Sequence, residues 1–138
     1  KLEELEWIIE QDIPIPVGIK HTRTPFDHWK KICIDFYENS YGIDIIAVKN
    51  GEYIAATDIE VYKKTEPHKG WTGSLGVLKE YRRRGIATAL KIKAFEKLLK
   101  KGVIEVRTDN ELNNPMYKIN IELGFKPVPF SLDYSKEI

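Results

Sequence analysis

Three consecutive arginines, Arg82, Arg83 and Arg84, stand directly before Gly85, and Ala87 follows two residues later. A β-rich run from Trp71 to Leu78 precedes them, and the strongest amphipathic pattern in the chain begins at Gly85. Strand, short basic turn and helix start are therefore expected in succession. The first turn of a helix carries backbone N–H groups without internal partners and the positive end of the macrodipole. A pyrophosphate fits such a position. Gly85 permits close backbone approach, Ala87 leaves room for phosphate, and the arginines add charge and hydrogen-bond donors. The spacing is neither that of a Walker loop nor that of a dinucleotide fingerprint.

The basic charge is concentrated around this turn. Lys79 to Lys101 holds nine basic and two acidic residues, net +7, in a chain whose total is +1, which leaves −6 for the rest. That distribution builds a site for one small polyanion rather than a general polyanion surface. A nucleic-acid partner is not expected, since no basic strand interleaved with aromatics accompanies the arginines. Lys91, Lys93, Lys97, Lys100 and Lys101 read as the solvated face of the helix.

The elements that position this turn are legible in the remaining pattern. The chain has 138 residues, 42% hydrophobic and 31% charged, which is the composition of one globular domain. Residues 2–11 read as a helix end, and the prolines at 14 and 16 then forbid a helix interior. A second helix fits Pro25 to Glu38, capped by Thr24, with Phe26, Trp29, Ile32, Cys33, Phe36 and Tyr37 on one face. Ile43 to Lys49 and Tyr53 to Lys63 read as strands joined at Asn50-Gly51, a strong hairpin signal. The helix from Gly85 to Lys101 shows Ile86, Leu90, Ala94 and Leu98 at four-residue steps, beside a row of Thr88, Ile92, Phe95 and Leu99. Gly102 ends it, Val103 to Thr108 forms a short strand, and the crossover implies that the flanking strands are parallel. A last helix starts at Asn113 or Asn114, with Pro115 in its first turn and Gly124 at its end, and a final strand follows from Phe125.

Other site classes find little support. The single cysteine, Cys33, excludes an internal disulfide and a multi-cysteine metal site, and it sits on an apolar helix face. His21 and His28 have no partners at ligand spacing, so no metal is expected. No apolar run reaches the ~18–20 residues needed to span a bilayer. No signal-peptide pattern is seen at the start, and the use of a single cysteine leads to the expectation of a reducing, cytoplasmic setting.

The segment Arg82-x-x-Gly85-x-Ala87 resembles the Arg/Gln-x-x-Gly-x-Gly/Ala signature of the GNAT superfamily of acyl-CoA-dependent N-acyltransferases. Val77 and Tyr81 stand where that family's preceding run places them. Asn113-Asn114-Pro115-Met116 through Gly124-Phe125 is similar to its last shared block. Trp71-Thr72-Gly73, Gly85 to Lys91 and Ile119-Asn120 further resemble domains of tandem or two-domain members. The resemblance covers roughly residues 43–133. It implies an α/β fold (α+β by some schemes): a mixed, mostly antiparallel twisted sheet flanked by helices, with one parallel β-α-β crossover carrying the pyrophosphate loop. Residues 1–138 then form a single acyltransferase domain, truncated at its N-terminus. A first strand lies upstream, and an upstream domain or a homodimer is a further expectation.

The same resemblance implies transfer of an acetyl or acyl group from acetyl-CoA to a primary amine of a small molecule or peptide, by direct attack in a ternary complex. Its pyrophosphate would rest on the turn formed by Arg82, Arg83, Arg84, Gly85, Ile86, Ala87 and Thr88. The pantetheine arm would pair with the backbone near Leu75 and Val77, and Asn113 would help to hold it. The family's general-acid tyrosine position, four residues before Gly-Phe, is Asn120 here. Tyr117, nearly one helical turn earlier, is the alternative acid. The family's strand glutamate is also absent, and Glu60 or Asp58 on the neighbouring strand is the candidate base. These departures keep open a second reading, a CoA-binding domain without catalysis that serves a structural or regulatory role in a larger protein.

Overall fold

The computed structural model describes residues 1–15, 18–110 and 114–128. Helix α1 (Leu2–Glu10) and helix α2 (Phe26–Asn39) precede three long strands, β1 (Ser40–Lys49), β2 (Glu52–Tyr62) and β3 (Lys69–Val77). A 3-10 turn at Lys79–Tyr81 leads to helix α3 (Ile86–Lys100), strand β4 (Glu105–Arg107) and helix α4 (Pro115–Glu122). The strands form one sheet in the order β1-β2-β3-β4. β1, β2 and β3 are mutually antiparallel, and β3 pairs with β4 in parallel. This is the mixed α/β architecture expected from the sequence, with the parallel pair flanking α3.

The β1–β2 hairpin turns where two consecutive positive φ angles are required, and Asn50 (φ 51°) and Gly51 (φ 81°) supply them. Side chains alternate across β2. Ala55, Ile59 and Val61 face α3 and pack with Leu90, Ala94 and Leu98. Ala56 faces α1 and packs with Leu5 and Ile9. Asp58 and Glu60 share the α1 side, as their even numbering requires.

Four local expectations need correction. Thr24 does not cap α2; Pro25 itself is the N-cap, with φ −55° and ψ 139° and no side-chain cap bond. On that helix Phe26, Ile32 and Tyr37 are exposed rather than buried in an apolar face. On α3 the buried stripe is Leu90, Lys91, Ala94 and Leu98, whereas Ile92 and Leu99 are exposed. The helix is rotated relative to the expected stripe, and Lys91 points inward at 3% exposure instead of joining the solvated face. Phe125 to Val128 forms no strand, and the rest of the expected final strand lies outside the described residues, as does Asn113.

Candidate active site

The site is a fork in the sheet. β3 and β4 pair only over Lys69, Gly70 and Trp71 against Glu105, Val106 and Arg107. Beyond this point β3 continues from Thr72 to Val77 with no strand on that edge among the described residues. The hydroxyls of Thr72 and Thr108, 2.6 Å apart, join the two arms at the fork point. The cleft that opens there has a volume of ≈ 260 Å³. β3 contributes Thr72, Gly73, Ser74 and Leu75, α3 contributes Lys91, and the segment from Thr108 to α4 contributes Asn110, Asn114 and Met116.

At the far end of β3 lies the basic turn. Gly85 is the N-cap of α3, with φ 75°, a conformation that glycine adopts without the penalty a Cβ incurs. Nothing lies within 4 Å of a Cβ built there, so the space outside the turn is open. The arginines are not equivalent. Arg82 Nε donates to the Val77 carbonyl at 2.8 Å, and its guanidinium pairs with Asp12. Arg82 therefore braces the end of β3 against the segment after α1. Arg84 donates to the Glu80 carbonyl at 2.9 Å and lies 5.5 Å from the Tyr81 ring centroid. Arg83 is exposed and has a left-handed backbone, φ 60°. Ile86, Ala87 and Thr88 form the first turn of α3, whose N–H groups face the open end.

On the α1 side of the fork the β2–β3 register slips: Thr57 pairs with Leu75, but Ile59 pairs with Thr72. Asp58 thus stands opposite two residues, Gly73 and Ser74, a β-bulge. Its carboxylate accepts from the Ser74 N–H at 2.8 Å and the Ser74 hydroxyl at 2.6 Å. A Cβ on Gly73 would lie 1.8 Å from Asp58 Oδ2, so only glycine leaves the carboxylate in place. Burial raises the Asp58 pKa, against the opposing effect of the Ser74 hydrogen bonds. Glu6, which accepts from Trp29 Nε1 at 2.7 Å, is likewise raised, first by burial and further by the nearby Asp58 and Asp44 charges.

On the α3 side, Lys91 Nζ donates to Asn120 Oδ1 at 2.7 Å, and Asn120 Nδ2 donates to Asn110 Oδ1. Both Lys91 and Asn120 are 3% exposed. Asn114 caps α4 by accepting from the Met116 N–H at 2.9 Å, which fixes the start of the helix that carries Asn120.

Of the expected site residues Leu75 lines the cleft, Asn120 adjoins it through its hydrogen bond from Lys91, and Val77 and the turn residues lie farther along, at the end of β3 and the start of α3. The structure does not bring Glu60 to the cleft: that side chain accepts from the Tyr62 hydroxyl at 3.0 Å, and its residue pairs across the sheet with Trp71. Tyr117 is 36% exposed and does not line the cleft. Lys91 is the residue that the sequence pattern missed. The available signal was its spacing with Ala87, Ala94 and Leu98, which places it on the inward row. Among the described residues, no group of three or more His, Cys, Asp or Glu is disposed to hold a metal, and no helix is long and apolar enough to cross a membrane.

Comparison with known proteins bears on the same arrangement. The fold is similar to that of the aminoglycoside acetyltransferase AAC(6')-Iy, solved with a bisubstrate analogue of CoA. The TM-score is 0.70 at 19% identity, covering 99% of this chain and 92% of that one. It is similar to an aminoglycoside 6'-N-acetyltransferase from Acinetobacter haemolyticus, with TM-score 0.66 and 19% identity over 98% and 93% of the two chains. It is also similar to a transcriptional regulator from Bacillus halodurans, with TM-score 0.72 and 15% identity over 98% and 93%. Among proteins of curated function, none matched the sequence. The model of the acetyltransferase (GNAT) family matches residues 2–125, nearly the whole described chain, and with the forked sheet and its basic helix start this settles the assignment: the chain belongs to the GNAT acetyltransferase family.

Proposed function

We propose that this protein transfers an acetyl group from acetyl-CoA to a primary amine of a small molecule or peptide, by direct attack in a ternary complex. The observation that carries the reading is the fork itself. A β3 edge, Thr72 to Val77, with no strand partner among the described residues leads through a short turn to a helix N-terminus bearing Gly85 and adjacent arginines. An extended arm with amide groups would add to that edge as a strand does. Its pyrophosphate would reach the α3 N–H groups, with Arg83 and Arg84 contributing charge.

Two features support an amine as the acceptor. Asp58 lies behind Ser74 with a raised pKa, which suits a group that takes the proton from the acceptor ammonium so that the neutral amine can attack. Asp44 and Glu6 add negative charge on the same side. The amine nitrogen attacks the thioester carbonyl, the C–N bond forms, and the C–S bond then breaks with its electron pair on sulfur. No protein nucleophile is required. Cys33 fits this, because burial pushes its thiol pKa upward and away from the reactive thiolate.

Initial-rate kinetics test the proposal. Thiol release should require both acetyl-CoA and a primary amine, with intersecting double-reciprocal lines. Parallel lines would indicate a covalent acetyl-protein instead. CoA binding without any amine-dependent thiol release would establish the non-catalytic reading.

A further inference from the structure

Lys91 remains unexplained by the reaction as described. It lies in the second turn of α3, nearly solvent-excluded, yet it lines the cleft of the fork. Among the described residues it has no ion-pair partner. Its ammonium contacts Asn120 Oδ1 at 2.7 Å and the Phe125 ring, whose centroid is 5.3 Å away. A buried ammonium with only neutral partners is costly, and a cleft is where such a cost has a use.

Among the described residues the surroundings carry little other charge. β3 has no titratable group between Thr72 and Val77. The segment after β4 brings Asp109, which is exposed, to the same cleft. On α4, Lys118 and Glu122 pair with each other at 3.8 Å, and Tyr117 is at the surface. On α3, Lys93 pairs with Glu96 at 2.9 Å. Burial alone acts on Lys91, and it lowers the ammonium pKa to about 8.

Acyl transfer from a thioester leaves one negative charge, on sulfur. Among the described residues, Lys91 is the only cation lining the cleft. We propose that the Lys91 ammonium, oriented by Asn120, receives the leaving thiolate of CoA and protonates it. This rests on the reading of the fork as the acyl-CoA site. As the C–S bond breaks, its electron pair passes to sulfur. One proton moves from Lys91 Nζ to sulfur, giving free CoA and a neutral Lys91 amine, which solvent reprotonates. The proton lost by the acceptor amine leaves separately through Asp58. Asn120 is then a positioning residue, and Lys91 fills a role for which no tyrosine among the described residues lines the cleft.

The direct test uses the full chain and free CoA, without an acceptor. Thiolate absorbance in the ultraviolet reports ionisation of the bound thiol. In the wild type the thiol should ionise about one pH unit or more below free CoA, because a cation lies within contact distance. Lys91→Met should abolish that difference while CoA affinity at pH 6 stays within ~3-fold, since the pyrophosphate site is untouched. In turnover, Lys91→Met should lower kcat ~100-fold with little change in KM for acetyl-CoA. The falling limb of the wild-type rate near pH 8, where Lys91 loses its proton, should disappear in the variant. Bound CoA that titrates like free CoA in the wild type overturns the proposal, whether or not Lys91→Met folds. If instead the thiol shift is present and no amine is acetylated, the thiolate site stands and the transfer reading fails. Absence of CoA binding removes both.

Discussion

Asp58 is the residue whose environment most directly sets a pH dependence. Burial raises its pKa despite two hydrogen bonds from Ser74. A base must be ionised to act, so the rate should rise as pH climbs through this raised value. Asp58→Asn should remove that rising limb and lower kcat ~100-fold. The stability effect has the opposite sign. The folded protein holds this proton more tightly than the unfolded chain, so the contribution is full below the ordinary carboxylate value. It is lost as pH rises through the folded value. Thermal unfolding across that window should therefore show a smaller decline for Asp58→Asn than for wild type, and an equal decline would contradict the assignment. In the sequence, Asp58 was legible as a strand carboxylate sharing a face with Glu60, but not which of the two bonds Ser74 in the cleft wall. That depends on the bulge at Gly73 and Ser74, and a slip in pairing register leaves no mark on alternation. Lys91 was hidden for a related reason: a lysine in an amphipathic helix is counted as polar whichever way it points.

At the scale of elements, the start of α3 carries the clearest expectation. Gly85 holds φ 75° with open space beyond it. Gly85→Ala should cost about 1 kcal/mol of stability through backbone strain alone. Gly85→Glu should weaken CoA binding by well over tenfold, ~1.4 kcal/mol or more, because the side chain would fill the phosphate position. Replacing Arg83 or Arg84 with Ala should weaken CoA modestly, with a smaller loss at high salt, because both side chains are exposed. Calorimetric titration at two ionic strengths checks this, and a loss that grows with salt would contradict an electrostatic role. The β1–β2 hairpin, α3 and its end at Gly102, and the Asn114 cap of α4 were all readable because local backbone chemistry specifies them. The start of α2 was not, since Pro25 at φ −55° and ψ 139° takes the cap position that Thr24 was expected to fill. Its apolar face was misread because periodicity reports a stripe and not whether anything covers it.

For the whole molecule, the site depends on contacts far apart in sequence. Asp12, just past α1, pairs with Arg82 and with Lys79 at 3.1 Å, and so ties the N-terminal helix to the basic turn. α1 also packs on the sheet where a Cβ on Gly76 would lie 2.0 Å from Ile9 Cγ2. The Arg82 hydrogen bond, followed by that of Lys79, holds the Asp12 pKa below the usual carboxylate range. Its contribution is present above the unfolded value and is lost as pH falls through the folded one. The pair is partly exposed, so Asp12→Asn should cost less than ~1 kcal/mol, measured by denaturant midpoint, and less still in high salt. On the proposed reading, the forked sheet, the basic turn and the buried lysine form one acyl-CoA site. A crystal structure of the wild-type protein with acetyl-CoA tests this most directly. The pyrophosphate should lie within roughly 3 Å of the backbone N–H groups at the start of α3, with the arm along β3 and the sulfur beside Lys91 Nζ. CoA bound elsewhere, or bound at the turn with its sulfur outside the fork, would contradict the account.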